Sequence, residues 1–411
     1  MNYSKYKTKI LNDSVHGFIT ISSPFIYSIL EHPYVQRLRN IKQLGLTYLV
    51  YPGACHNRLQ HALGAMHLME KALNTLKSKG NNITDEEMEA ALIAILLHDI
   101  GHGPFSHTLE TNIIEVSHEI ISKIFIEHLN KMYGNLDLAI DIFSKSYHKQ
   151  FLNELVSGQL DVDRLDYLRR DSFFSGVVEG MVGLDRIINM LDVSDNQLVV
   201  EAKGIYSVEN FILSRRLMYW QVYLHKTVIS AETLLVQIFR RAKYLSFNGE
   251  KLFASPPLSF FLQNKIDESN FVLDNTEAIN YFALLCDDDI ECSIKVWMQH
   301  PDKILSLLCK MLVNRKLPRT ELREIPFSDE EIREKKTLVK AFHKLSDEEL
   351  DYFVNSGKIA NTAYSSNKQS ILIKYKNDTL LDVFEASDML KQSNLGDETY
   401  KYMLSYPKYD K

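Results

Sequence analysis

The sequence predicts a mainly α-helical protein with a smaller mixed α+β part towards its C-terminal end. Two observations lead there. Across 411 residues there are only 16 glycines and 10 prolines, below average use, so few positions break a helix. Long stretches, His61–Leu76 among them, carry apolar residues three and four apart, the spacing of a helix with one buried face. Hydrophobic residues at 45% and charged residues at 24% are ordinary globular values and exclude a disordered or fibrous chain.

Taken in order, Lys9–Asp13 and Phe18–Ile21 read as short extended segments around Gly17. A helical pattern runs from Pro24 through Leu44 and again over His61–Leu76, until Gly80-Asn81-Asn82 interrupts it. Thr84 and Glu87 form a capping box for a helix through AALIAILL, apolar nearly all round and therefore the expected buried centre. It ends at His98-Asp99, before Gly101, Gly103 and Pro104. Helices are expected over 115–130, 150–171 and 207–245, with a hairpin pairing Gln197–Glu201 with Ile205-Tyr206 around Ala202-Lys203-Gly204. After Ser255-Pro256-Pro257, helices are expected over 276–285, 301–314 and 346–356. A second hairpin pairs Gln369–Tyr375 with Thr379–Phe384 around Lys376-Asn377-Asp378. The prolines suggest a core of 1–250 and a C-terminal region of 251–411, without a flexible linker.

Several function classes are disfavoured. The longest apolar run, Ala90–Leu97, falls far short of the roughly 20 residues of a membrane span. The N-terminus lacks a signal-peptide core. Cys55, Cys286, Cys292 and Cys309 show no paired spacing, which argues against a disulfide scaffold or zinc ribbon and for a reducing cytoplasm. A net charge of −6 makes a broad nucleic-acid surface unlikely and leaves room for a local basic pocket.

Chemistry concentrates in the first part of the chain, where 11 of 14 histidines lie at or before His148. His98-Asp99 sits where a buried helix meets a glycine turn. An ionisable pair there is costly unless it is paired or bound to metal, and imidazole with carboxylate suits Zn, Fe, Mn and related divalent ions. The pair alone also fits a helix-end histidine beside an exposed aspartate. HDIGHGPFSH adds His102 and His107, and HNRLQH adds His56, Arg58 and His61. In LDVDRLDYLRRD, Asp163, Tyr167 and Asp171 fall at i, i+4 and i+8 of a helix, with Asp161 and Arg164 beside them; a solvated charged face fits this run equally. In SRRLMYWQVYLHK, Arg215, Tyr219, Tyr223 and Lys226 share one helical face, which an ordinary amphipathic helix would also give. His16, His32, His128, His148, His300 and His343 lack such company and read as surface or core residues.

The order His61, His98-Asp99, Asp163 is similar to the signature of the HD phosphohydrolases. YPGACHNRLQHALG, HDIGHGPFSH, LDVDRLDYLRRD and YLHK resemble the dNTP triphosphohydrolase branch of that family, over about residues 9 to 245. The resemblance implies an HD-type helical core and hydrolysis of dNTPs to deoxynucleoside and inorganic triphosphate. It implies a divalent transition metal (Mn, Fe, Zn or Ni undistinguished) on His61, His98, Asp99 and Asp163, with Mg accompanying the substrate. His102, His107 and His118 would line the triphosphate and the reacting phosphorus. Arg58, Arg164 and Arg215 would clamp phosphates, and Gln43, Leu44, Tyr167, Asp171 and Tyr223 would hold sugar and base. Arg164 stands where several relatives have lysine, and Tyr219 and Leu224 stand where the animal enzyme has polar residues, which bears on base and sugar specificity. Lys9, Ile10, Asn12, Glu31, Gln36 and Arg39 match positions that relatives use for an activating nucleotide at a subunit interface, implying a homo-oligomer. Two other readings stay open: an HD phosphohydrolase acting on another nucleotide (monoester, diester or alarmone), and a nucleotide-binding regulator without turnover.

Overall fold

The helix Asp85–Leu97 lies at the centre, with Ala90, Ala91 and Ile93 to Leu97 buried. Its capping box forms as expected: Glu87 N–H donates to Thr84 Oγ1 at 3.1 Å and Thr84 N–H to Glu87 Oε2 at 2.8 Å. The computed structural model describes residues 8–273, 276–361, 370–391, 393 and 399–408. Against the central helix packs the 21-residue helix Arg58–Ser78, whose other side meets Val162–Ser175. These three elements carry His98, His61 and Asp163 to one place. The core is a large cluster of aliphatic and aromatic side chains that continues into the C-terminal part through Phe261, Phe282, Ile290 and Leu308.

Mainly helical architecture with small sheets agrees with the expectation, and the departures have local causes. The pattern over Pro24–Leu44 is not one helix. It stops at Leu30, restarts at Pro33–Gln36 behind the His32 cap and tightens into a 3-10 turn at Arg37–Asn40, because proline lacks the N–H that would continue the first helix. The segment 150–171 divides into Gln150–Ser157 and Val162–Ser175, since Asp161 caps the second and takes the Gly158 N–H at 2.9 Å. The expected 207–245 helix divides into Ile205–Met218, a π turn at Tyr219–Tyr223, and Lys226–Phe247 behind an extended His225. That break takes Lys226 out of the helical register that Arg215 begins.

Two expected elements are corrected. The first hairpin pairs Leu191–Ser194 with Gln197–Glu201, not with Ile205-Tyr206. Its turn residues Asp195 and Asn196 have φ of 48° and 66°, the left-handed pair that a two-residue hairpin requires, while Ala202–Gly204 leads into the next helix. The expected 346–356 helix reduces to the turn Glu349–Tyr352. Asn355–Asn361 is instead an edge strand on Thr399–Tyr406, which also pairs with Arg319–Arg323. A partner strand that begins 38 residues beyond its end gives that strand no local signature. The hairpin Leu372–Lys374 with Leu380–Asp382 forms as expected, although Gln369 lies outside the described residues. Leu372–Lys374 further joins Gln197–Glu201 in parallel, so one four-stranded sheet draws strands from both sides of residue 250. Helices Asp287–Trp297 and Asp329–His343 were not expected.

Candidate metal centre and nucleotide cleft

His61 lies one turn into its helix, which Asn57 caps through a box with Gln60. The imidazole Nδ1 meets Asp166 Oδ2 at 2.8 Å, so its Nε2 faces the other way. That close approach requires Gly64: a Cβ there would lie 2.0 Å from Asp166 Oδ1. His98 ends the central helix with Nδ1 2.7 Å from the Ile95 carbonyl, again turning Nε2 outward. The chain then folds back at Gly101, where a Cβ would lie 2.2 Å from the His118 carbonyl oxygen. Gly101 N–H donates to Ser122 Oγ at 2.9 Å, and that hydroxyl donates to the His98 carbonyl at 2.8 Å.

These turns bring four side chains together. Asp163 Oδ1 lies 3.1 Å from His61 Nε2 and 3.5 Å from His98 Nε2, and Asp99 oxygens lie 3.8 Å and 3.3 Å from the same two nitrogens. Both nitrogens are buried without a hydrogen-bond partner among the described residues. Two imidazoles whose Nδ1 atoms are already committed, with two carboxylates converging on their Nε2 lone pairs, are a donor set for a divalent transition metal. The residues therefore fit the metal that the sequence implies. Burial works against charge on His61, yet Asp163 and Asp166 outweigh it and push its pKa up to about 10. Burial likewise opposes charge on Asp99, but His98, His102 and Arg58 hold its carboxyl well below the usual range.

Beside this centre, His102 and His118 stack with ring centroids 3.8 Å apart, and Glu110 Oε1 lies 3.0 Å from His118 Nδ1. The two rings differ in proton affinity. Burial and the Arg58 guanidinium keep the His102 pKa well below its ordinary value. Burial also opposes the His118 cation, but Glu110 overcomes it and raises the pKa. The two stacked rings thus differ in proton affinity, an arrangement suited to proton transfer. His107 belongs to helix Ser106–Asn112; its side chain lies outside the described residues.

A cleft of about 570 Å³ opens over His98, Asp99, His118, Lys123, Asp163 and Arg164. Arg58 donates to Asp99 at 2.7 Å, Arg164 pairs with Asp161, and Arg215 donates to Gln159 at 3.2 Å. Each of these three arginines keeps a buried Nε without a hydrogen-bond partner among the described residues, as does Gln43 its Oε1. Tyr167 lies 6.5 Å from the His61 ring and 6.2 Å from Tyr223. Asp171 is held from two sides, by His56 Nε2 at 2.8 Å and by the Tyr223 hydroxyl at 2.6 Å. Leu44 packs half-buried against the core.

The positions expected for an activator lie elsewhere. Lys9, Ile10 and Asn12 are exposed on the N-terminal hairpin; Glu31 and Arg39 are exposed at helical ends. Gln36 accepts from Arg39 at 2.7 Å and donates to the Leu30 carbonyl.

Several residues escaped the sequence reading. Asp166 accepts from Arg170 Nε at 2.9 Å, and Arg170 reaches Asp13 at 2.8 Å. Asp166 and Arg170 stand at i and i+4, a spacing that signals a pair. His16 is not an ordinary core or surface histidine: its Nε2 meets Asp166 Oδ1 at 2.6 Å. Nothing local announces that contact across 150 positions. Glu110, three residues beyond His107, carried no motif of its own.

Comparison with known proteins agrees with this geometry. Residues 58–171 match the family model of the HD domain and residues 182–252 that of the HD-associated region. The chain is 34% identical over 321 residues to YwfO, an uncharacterized protein of Bacillus subtilis, covering 75% of this chain and 71% of YwfO. The crystal structure of a phosphohydrolase from Bacteroides thetaiotaomicron, 50% identical, superposes with a TM-score of 0.94 over 98% of this chain and 100% of the other. The deoxynucleoside triphosphate triphosphohydrolase SAMHD1 of Gallus gallus is 32% identical over 291 residues, 59% of this chain. The match spans 47% of that enzyme's length.

Proposed function

This chain belongs to the HD-domain family of phosphohydrolases, and from that premise we propose that it hydrolyses deoxynucleoside triphosphates to deoxynucleoside and inorganic triphosphate. The observation that carries the reading is the set of buried Nε groups on Arg58, Arg164 and Arg215 that lack a hydrogen-bond partner among the described residues. Buried donors are normally satisfied, and three guanidiniums with unused donors suit a polyphosphate. His61, His98, Asp99 and Asp163 would hold the metal. A divalent cation there supplies Lewis acidity and lowers the pKa of water.

The chain's own groups do the rest. Arg58, Arg164 and Arg215 bind the phosphates and offset charge that develops at phosphorus. His102, whose proton affinity burial and Arg58 lower, orients the triphosphate by hydrogen bonding. His118, whose proton affinity Glu110 raises, and His107 are the candidate donors to the departing 5′ oxygen. Tyr167 packs under the sugar where a 2′-hydroxyl would sit, and Asp171, fixed by His56 and Tyr223, holds the sugar edge.

Activation by a nucleotide bound at Lys9, Ile10, Asn12, Glu31, Gln36 and Arg39 between subunits is the finer part of the reading. It predicts a rise in mass by light scattering when GTP or a dNTP is added. The main test is phosphorus NMR during turnover of each dNTP and NTP with Mn²⁺. Intact triphosphate as the first product is expected. Early orthophosphate or pyrophosphate would point instead to an HD phosphohydrolase acting on another nucleotide bond.

A further inference from the structure

The C-terminal region sends one buried carboxylate to Lys42, next to Gln43 and Leu44. Asp287 opens the helix Asp287–Trp297, and its side chain is 4% exposed. Its Oδ2 accepts the backbone N–H of Lys42 at 3.0 Å and the Lys42 ammonium at 3.3 Å. One turn on, Glu291 takes the same ammonium at 2.9 Å. The other Asp287 oxygen is buried without a hydrogen-bond partner among the described residues. A half-satisfied buried carboxylate opposes stability, so a packing role alone does not account for it.

What Asp287 grips is a junction on which much of the cleft depends. Lys42 and Asn57 form an antiparallel bridge, Gln43 N–H donates to the His56 carbonyl at 2.9 Å, and Arg58 N–H donates to the Ile41 carbonyl at 3.0 Å. From that short ladder run Gln43 and Leu44 on one strand, and His56, which fixes Asp171, on the other. Asp287 holds the outer edge through the main chain, the contact that sets register rather than side-chain packing.

We propose that Asp287 is a positioning residue that fixes the 42–44 segment and thereby the base-and-sugar end of the nucleotide site. The inference rests on the nucleotide reading above for its effect on substrate, but not for its effect on the segment. Asp287→Ala should raise KM for the best dNTP by about tenfold, with kcat within about twofold and metal content unchanged, as expected when orientation of a remote substrate part is lost. Hydrogen exchange of the amides of 41–46 in the enzyme without nucleotide should speed up. Asp287→Asn keeps a carbonyl acceptor for Lys42 N–H and should restore both readouts. If the alanine variant does not fold, Asp287→Glu, which moves the acceptor by one methylene, should still raise KM. Unchanged KM and unchanged exchange in a folded variant would overturn the proposal, as would equal loss of kcat and thermal stability at constant KM. Wild-type protein that turns over no dNTP would refute the proposed function, while the exchange measurement would still decide the role of Asp287.

Discussion

His61 separates two buried regions that treat their polar atoms differently. Beneath its ring, Asp166 accepts from His61, His16 and Arg170, and Arg170 continues to Asp13, so each charge meets an opposite one. Above the ring, the Nε2 atoms of His61 and His98 and the Nε atoms of Arg58, Arg164 and Arg215 have no hydrogen-bond partner among the described residues, although Asp163 Oδ1 lies 3.1 Å from His61 Nε2. The named atoms are buried in both regions, so burial of these atoms does not distinguish them. The lower region is a finished network that fixes the orientation of a ring, as partners behind metal-binding histidines generally do. The upper region has its donors and lone pairs gathered but unspent, which is the condition of a site shaped for a ligand.

The largest test acts on the upper region. Asp163→Ala should remove bound metal and lower activity by at least about 10²-fold, with the fold intact because Asp163 stands at the edge of the cleft. Elemental analysis with circular dichroism checks it, and equal metal content in both proteins would take Asp163 out of the site. His107→Ala should lower kcat by roughly 10²–10⁴-fold while metal content stays constant. Normal turnover there would leave His118 or water as the proton donor.

The lower region should answer differently, in stability and affinity together. Asp166→Ala leaves the Arg170 guanidinium buried with half its partners, a change that costs about 3–5 kcal/mol in comparable buried pairs. With His61 no longer held, metal affinity should fall by about 10–100-fold. Denaturant unfolding and metal titration on one preparation would show whether the two losses travel together; affinity untouched by a large stability loss would separate Asp166 from the metal centre.

The smallest effect is one of pH. Burial lowers the proton affinity of His118 and Glu110 more than reverses it, so its folded pKa lies above the ordinary value. If protonated His118 serves turnover, activity is full below that raised pKa and is lost as pH rises through it. Glu110→Gln leaves burial alone, so the basic limb of the kcat/KM profile should move to lower pH. A profile that does not move would assign that limb to another group.

Much of the upper region was legible in the sequence. His61, His98, Asp99 and Asp163 each sit in a short distinctive string, and helical spacing or a glycine turn orients them locally. The lower region was mostly hidden. Asp166 and Arg170 could have been paired by their i, i+4 spacing, yet His16 and Asp13 meet them only because the N-terminal hairpin docks on two helices. The expected hairpin at Ile205-Tyr206 and the expected 346–356 helix gave way for different reasons: the Asp195-Asn196 turn closes the hairpin earlier, and the edge strand Asn355–Asn361 is defined by a distant neighbour.

Taken alone, the sequence determined which chemistry is available, since helix periodicity, capping boxes and glycine turns act over a few residues and place His98-Asp99 at a helix end. Tertiary structure alone decided how those groups are charged and what holds them. The lowered proton affinity of His102 beside the raised one of His118, and Asp287 behind Lys42, depend on burial and on charges brought from far along the chain. Electrostatic energies follow distance through space and local dielectric, and neither quantity is written in the order of the residues.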